Sequence, residues 1–136
     1  MSGNIKSKKY SDMKNREKII VESEADAFVS IHMNKFTDSK YSGPQVFYGR
    51  HNEKSELLAK NVQESLIDRL NPPSVREIKK ADRNIYLLEH AKIPAILAEC
   101  GFLSNEEEQK KLISDNYQTK VAWSIYCGIL KYFNEE

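Results

Sequence analysis

His32 and Glu99 are the residues of this 136-residue chain whose type and placement best suit chemistry. Each closes a short apolar run: Phe28, Val29, Ser30 and Ile31 precede the imidazole, and residues 93–98 (IPAILA) precede the carboxylate. In open parallel sheets, ligand sites lie beyond the carboxyl ends of the strands. If both runs are strands, adjacent and parallel, the two side chains share one rim. An imidazole there can hold a metal ion or a proton. A carboxylate can take a proton from water and return it to a leaving group. Each residue alone has a quieter reading. A lone histidine is commonly a core or rim residue satisfied by the backbone, and Glu99 could pair with a Lys or Arg. A carboxylate ending an apolar strand is costly without a partner or a metal, so the two together are informative.

The other reactive residues form no spacing motif. His51 falls in a turn and His90 near a short helical stretch, and both read as surface residues. Cys100 and Cys127 lack the CxxC pattern, and a buried thiol is the common explanation for a Cys beside an apolar run. No glycine-rich phosphate loop and no GxSxG elbow occurs.

The elements that must position the pair are legible from periodicity. Residues 1–10 are polar and basic and read as a tail. A helix is predicted over 11–24, capped by Ser11 or Asp12, with Met13, Ile19, Ile20 and Val21 as a modest apolar stripe. Strands are predicted over 27–32 and 45–48, separated by turn residues 41–44. Leu58, Val62, Leu66 and Leu70 recur every fourth residue and predict a helix over 52–70, stopped by Pro72 and Pro73. Residues 74–84 read as loop, and residues 85–91 as one or two helical turns. Residues 93–98 are apolar at nearly every position, as in a strand covered on both faces. Ser104 with Glu107 has the capping-box form, and Glu106, Glu107 and Glu108 suit the positive end of the helix that follows. The last helix is predicted over 116–133, with Val121, Ile125, Ile129 and Tyr132 or Phe133 on one face and Trp123 beside it. Strands alternating with helices predict an α/β fold with a mostly parallel sheet flanked by helices in three layers. Three strands are few for two long helices, so the core looks underbuilt.

Composition bounds the function. The chain is 40% hydrophobic and 30% charged, a globular and not a disordered balance. Lys and Arg number 21 and Asp and Glu 20, for a net charge of +1. Such a chain has no strong long-range pull on nucleic acid or anionic lipid, so no nucleic-acid partner is expected. Two Cys exclude a disulfide-dense scaffold. No apolar run approaches the roughly 18 residues of a transmembrane segment, and the first ten residues hold no secretory signal.

Two segments carry a family resemblance. Residues 25–34 (ADAFVSIHMN) resemble the AD-x-FVSIH-x-N segment of the zinc-dependent N-acetylmuramoyl-L-alanine amidases of the Amidase_3 type. Residues 93–105 (IPAILAECGFLSN) resemble the iPavLvE-x-GFLSN segment of the same family. Residues 12–19, with Arg16, are similar to the helix before the first segment, and residues 41–48 to the region between them. That region, with residues 52–70, points to the sporulation- and germination-specific, CwlD-type branch. The resemblance implies an amidase/phosphorylase-like α/β fold. It implies zinc-dependent hydrolysis of the amide between N-acetylmuramic acid and the L-alanine of the peptidoglycan stem peptide. His32 then matches a zinc ligand and Glu99 the catalytic glutamate; no substrate-binding residue is marked. In the sporulation branch this reaction prepares spore cortex.

The family's other two zinc ligands, a His in a DPGHGG-like segment and a later Glu, have no counterpart before His32. Residues 1–136 are therefore read as the C-terminal portion of a single amidase catalytic domain, N-terminally incomplete. Several expectations follow: poor zinc binding and weak or absent activity by this chain alone, and self-association through an exposed sheet edge. The peptidoglycan partner implies an extracytoplasmic place of action, in cell wall or spore cortex. Need for an accessory protein is left open. The competing reading is a non-catalytic peptidoglycan-binding or regulatory module of the same fold. An intact Glu99 favours the enzyme, because a binder has no use for a general base.

Overall fold

The apolar runs pair into one four-stranded sheet, and the periodic segments cover its two faces. The computed structural model of the chain describes residues 5–34, 43–102 and 106–135. In chain order these form α1 (Ile5–Glu22), β1 (Phe28–Asn34), β2 (Gln45–Tyr48), α2 (Lys54–Leu70), β3 (Lys79–Lys80), α3 (Tyr86–His90), β4 (Ala95–Phe102), α4 (Glu106–Leu112) and α5 (Asp115–Glu135). The strand order is β1-β4-β2-β3. β1 runs parallel to β4 and β2 parallel to β3, while β2 and β4 are antiparallel. The sheet is thus mixed, with two of its three pairings parallel.

Alternation along β4 sorts the two faces. Ile96, Ala98 and Cys100 join Val46, α2 and α5 in the larger core, which includes Leu58, Val62, Leu66, Ile125 and Tyr132. Ala95 and Leu97 face the other way, toward Phe28, Phe47, Ile85 and Leu88. α1 packs on α3 on that second side: the Tyr86 hydroxyl donates to Glu17 at 2.9 Å, and the Tyr10 ring meets Tyr86 edge-on at 5.9 Å.

α2 ends where its chemistry demands. Asn71 adopts the left-handed conformation (φ 47°) and its N–H caps the Ile67 carbonyl, before two prolines that cannot continue the helix. Gly128 of α5 lies so close to α2 that a Cβ there would stand 2.6 Å from the Val62 Cα.

Several sequence expectations shift. α1 starts six residues before the expected Ser11, because nothing in residues 5–10 breaks a helix; Asp12 pairs with Arg16 at 3.1 Å and caps nothing. Ile19 and Val21 are exposed. The expected loop over 74–84 contains the two-residue β3, too short and too lysine-rich to show a strand pattern. On α5, Trp123 and Phe133 point to solvent, and Ser124 and Gly128 join Val121, Ile125 and Tyr132 on the buried face. Ser104 of the expected capping box and residues 41 and 42 of the expected turn lie outside the described residues.

Candidate active site

His32 and Glu99 are register partners on the neighbouring parallel strands β1 and β4. The side chains point to the same face of the sheet, and His32 Nδ1 lies 3.3 Å from Glu99 Oε2. Glu99 is only 2% exposed, whereas the His32 side chain is 57% exposed. With Glu99 ionised, its carboxylate can only accept, so the contact then calls for a ring proton on Nδ1 and, in the neutral imidazole, leaves the lone pair on Nε2. The hydrogen bond thereby selects the tautomer that can ligate a metal through Nε2.

The strand is reshaped just beyond the carboxylate. His32 pairs with Glu99 but Asn34 with Phe102, so β4 carries an extra residue at a β-bulge. Gly101, at φ 155°, accommodates it, and its N–H reaches toward Glu99 Oε1 at 3.4 Å. The expected end of this strand at residue 98 is therefore too early: pairing resumes after the bulge.

Glu108 of α4 closes the rim. Its Oε1 accepts the Gly43 N–H, and a Cβ on Gly101 would meet that same oxygen at 3.0 Å. Continuing the β2–β4 register from Gln45 opposite Glu99 sets Gly43 opposite Gly101. The Glu108 carboxylate thus occupies the space that Gly101 leaves open, while a Cβ on Gly43 would meet the Ser74 carbonyl at 2.9 Å. Sequence reasoning missed this tie, because a third Glu in a helix-opening acidic run looks like charge for the dipole alone.

Cys100 is a buried thiol beside the pair. Burial, reinforced by the neighbouring Glu99 carboxylate, pushes its thiol up to about 12. His51 and His90 do not join the site. The cleft beside His51 is bounded by Asp26 and Pro94, which precede β1 and β4, so it lies at the opposite end of the sheet. There Glu89 takes a two-pronged bond from Arg50 (3.1 and 2.8 Å) and lies 3.3 Å from His51 Nε2. The Arg50 hydrogen bond, with the weaker help of His51, outweighs desolvation and holds the Glu89 carboxyl below the usual range. His90 Nδ1 lies 3.9 Å from Glu17.

A catalytic zinc takes three protein ligands and leaves a position for water. Among the described residues no group of three His, Cys, Asp or Glu side chains could hold a metal ion. The half-exposed imidazole of His32 suits one ligand of such a site; the described residues do not complete it. What the pair offers by itself is a buried, oriented carboxylate beside an imidazole, at the open end of a sheet.

Known proteins share this fold. A family model described as N-acetylmuramoyl-L-alanine amidase matches residues 4–131. The germination-specific N-acetylmuramoyl-L-alanine amidase of Bacillus subtilis (strain 168) is 41% identical over 129 residues, which are 95% of this chain and 54% of that protein. The CwlD amidase from Clostridioides difficile, solved in complex with the GerS lipoprotein, superposes with a TM-score of 0.93 at 46% identity, over 98% of this chain and 68% of that one. The amidase AmiC2 of Nostoc punctiforme superposes with a TM-score of 0.81 at 32% identity, over 89% of this chain and 65% of that one. The chain spans about half the length of the Bacillus relative it matches (54%).

Proposed function

The chain belongs to the N-acetylmuramoyl-L-alanine amidase family, and from that premise we propose that it forms the C-terminal portion of a catalytic domain that releases the stem peptide from peptidoglycan. The bond cut is the amide between the lactyl group of N-acetylmuramic acid and L-alanine. The observation that carries the reading is the His32–Glu99 pair, in register at the rim of adjacent parallel strands.

In this proposal Glu99 is the general base. Its carboxylate takes a proton from a water molecule as the water oxygen bonds to the amide carbon. The same carboxyl returns the proton to the departing L-alanine nitrogen as the carbon–nitrogen bond breaks. Burial keeps the carboxylate out of bulk water, and the His32 N–H fixes one of its oxygens, so the base is oriented before substrate arrives. His32 is proposed as the zinc ligand this chain contributes, consistent with the zinc dependence that the family resemblance implies. The site of action is proposed to be extracytoplasmic, in cell wall or spore cortex, where the substrate lies. The kinship to germination-specific amidases supports a role in cortex maturation. A lipoprotein partner like that of the Clostridioides difficile neighbour is a candidate accessory protein.

Glu99→Gln in the longest natural form containing this chain tests the reading. It keeps the shape of the side chain and removes the base. Release of stem peptide from purified peptidoglycan should fall by about 100-fold or more while thermal unfolding is little changed. Turnover that survives the substitution would sink the assignment of Glu99. A wild type that binds peptidoglycan without cutting it, with affinity indifferent to the substitution, would establish the binding module instead.

A further inference from the structure

A groove of about 520 Å³ runs between α1, the outer strand β1 and α3, and it ends at His32. That volume lies within the usual range of a ligand site. Its floor is apolar, with Phe28 and Leu97 from the sheet, and Tyr86 forms part of a wall. Its cations come from α1. Lys9, Met13 and Arg16 all line the groove, and their spacing of four and three residues puts them on one helical stripe. An ordinary packed helix turns apolar residues inward. Here the flank of α1 beside the groove carries two exposed cations around one methionine. Among the described residues no Asp or Glu lines the groove, although the chain holds 20 of them. Among the described residues Arg16 pairs with Asp12, and both side chains are more than half exposed, so an incoming carboxylate can compete for it at small cost. α1 is in turn anchored over the groove by the Glu17–Tyr86 hydrogen bond and the Tyr10–Tyr86 ring contact.

We propose that this groove seats the anionic stem peptide, with its free carboxylates against Lys9 and Arg16 and its muramoyl end at His32 and Glu99. The inference rests on the amidase reading and adds to it a specificity: stem peptides with free carboxylates are preferred to amidated ones. The apolar floor takes the aliphatic parts of the peptide, and the two cations select its charge.

The test is calorimetric titration of this chain with two soluble N-acetylmuramoyl-peptides, one with free carboxylates and one with the same carboxylates as carboxamides. Lys9→Gln with Arg16→Gln is the variant, and both positions are exposed enough for the fold to tolerate it. Wild type should bind the free-acid ligand about tenfold more tightly than the amidated one, a size expected for two exposed charge-assisted contacts. The double variant should lose that preference and keep its affinity for the amidated ligand. Equal affinities of wild type for the two ligands, equal losses for both in the variant, or no binding of either ligand overturns the proposal. In the longest natural form, the variant should raise KM for the free-acid substrate with kcat unchanged. Glu99-dependent turnover without any charge preference would remove the groove and leave the amidase. Charge-selective binding with no turnover in any form would remove the amidase and leave an anionic-peptide site.

Discussion

Sixty-seven positions separate His32 from Glu99 in the chain, yet their side chains share a hydrogen bond. The reason is local on each strand: an apolar run favours a covered strand, and the first polar residue after it falls at the rim. What the residue types could not show is how differently the two are exposed, a buried carboxylate beside a half-exposed imidazole. That asymmetry suits a base sheltered from water next to a ring open to a ligand. A second charged group, far from this pair, contributes to the acid sensitivity of the fold. Glu89 has a lowered pKa in the native state, chiefly through Arg50. A lowered native value means stability that is present above the unfolded carboxylate pKa and lost as pH falls through the native one. Arg50→Met should therefore flatten the acid limb of a stability-against-pH curve below the ordinary carboxylate range. An acid limb unchanged in chemical denaturation would show that the pair contributes nothing.

At the scale of elements, the packing of α2 on α5 holds the larger core against the sheet. Two features of that contact are polar or small where a stripe of large residues would be expected. The Ser65 hydroxyl donates to the Ser124 carbonyl at 2.6 Å, and Gly128 admits the α2 backbone. Gly128→Ala adds a methyl group where the Val62 Cα would stand 2.6 Å away, so the helices must separate. Such overpacking typically costs about 1–3 kcal/mol, even though alanine is the better helix former. Urea unfolding should show that loss; a gain in stability, as helix propensity alone would give, would refute the close-approach argument. The fourfold spacing of α2 made this helix legible from sequence, but the glycine contact was not. It depends on which residue of another helix arrives opposite, and no periodicity within α5 records that.

At the scale of the whole molecule, β1 stands at one end of the strand order, with Ile31 and Met33 exposed on it. An open strand edge with apolar neighbours is a template for pairing with another chain. Sedimentation should show concentration-dependent self-association, reduced by Ile31→Lys; a clean monomer across the accessible concentration range would exclude it. Metal content is the companion measurement. With one suitable imidazole and no three-ligand group among the described residues, the purified chain should hold far less than one zinc. About one tightly held zinc per chain, lost in His32→Ala, would mean that the site is completed by groups outside those described.

The sequence by itself determined the α/β class, the helices over α2 and α5, the strands that carry His32 and Glu99, and the family; both strands run on past those residues, to Asn34 and Phe102. Those features rest on local patterns: apolar period, strand punctuation, and two short motifs. The tertiary structure alone decided the antiparallel seam between β2 and β4, the bulge at Gly101, the reach of Glu108 to Gly43, and the groove beside the cations of α1. The physical reason is that each of these depends on a pairing between distant segments. Register and burial fix which side chains meet, and a residue's meaning changes with its neighbour: Lys9 reads as part of a polar tail until a groove is found beside it.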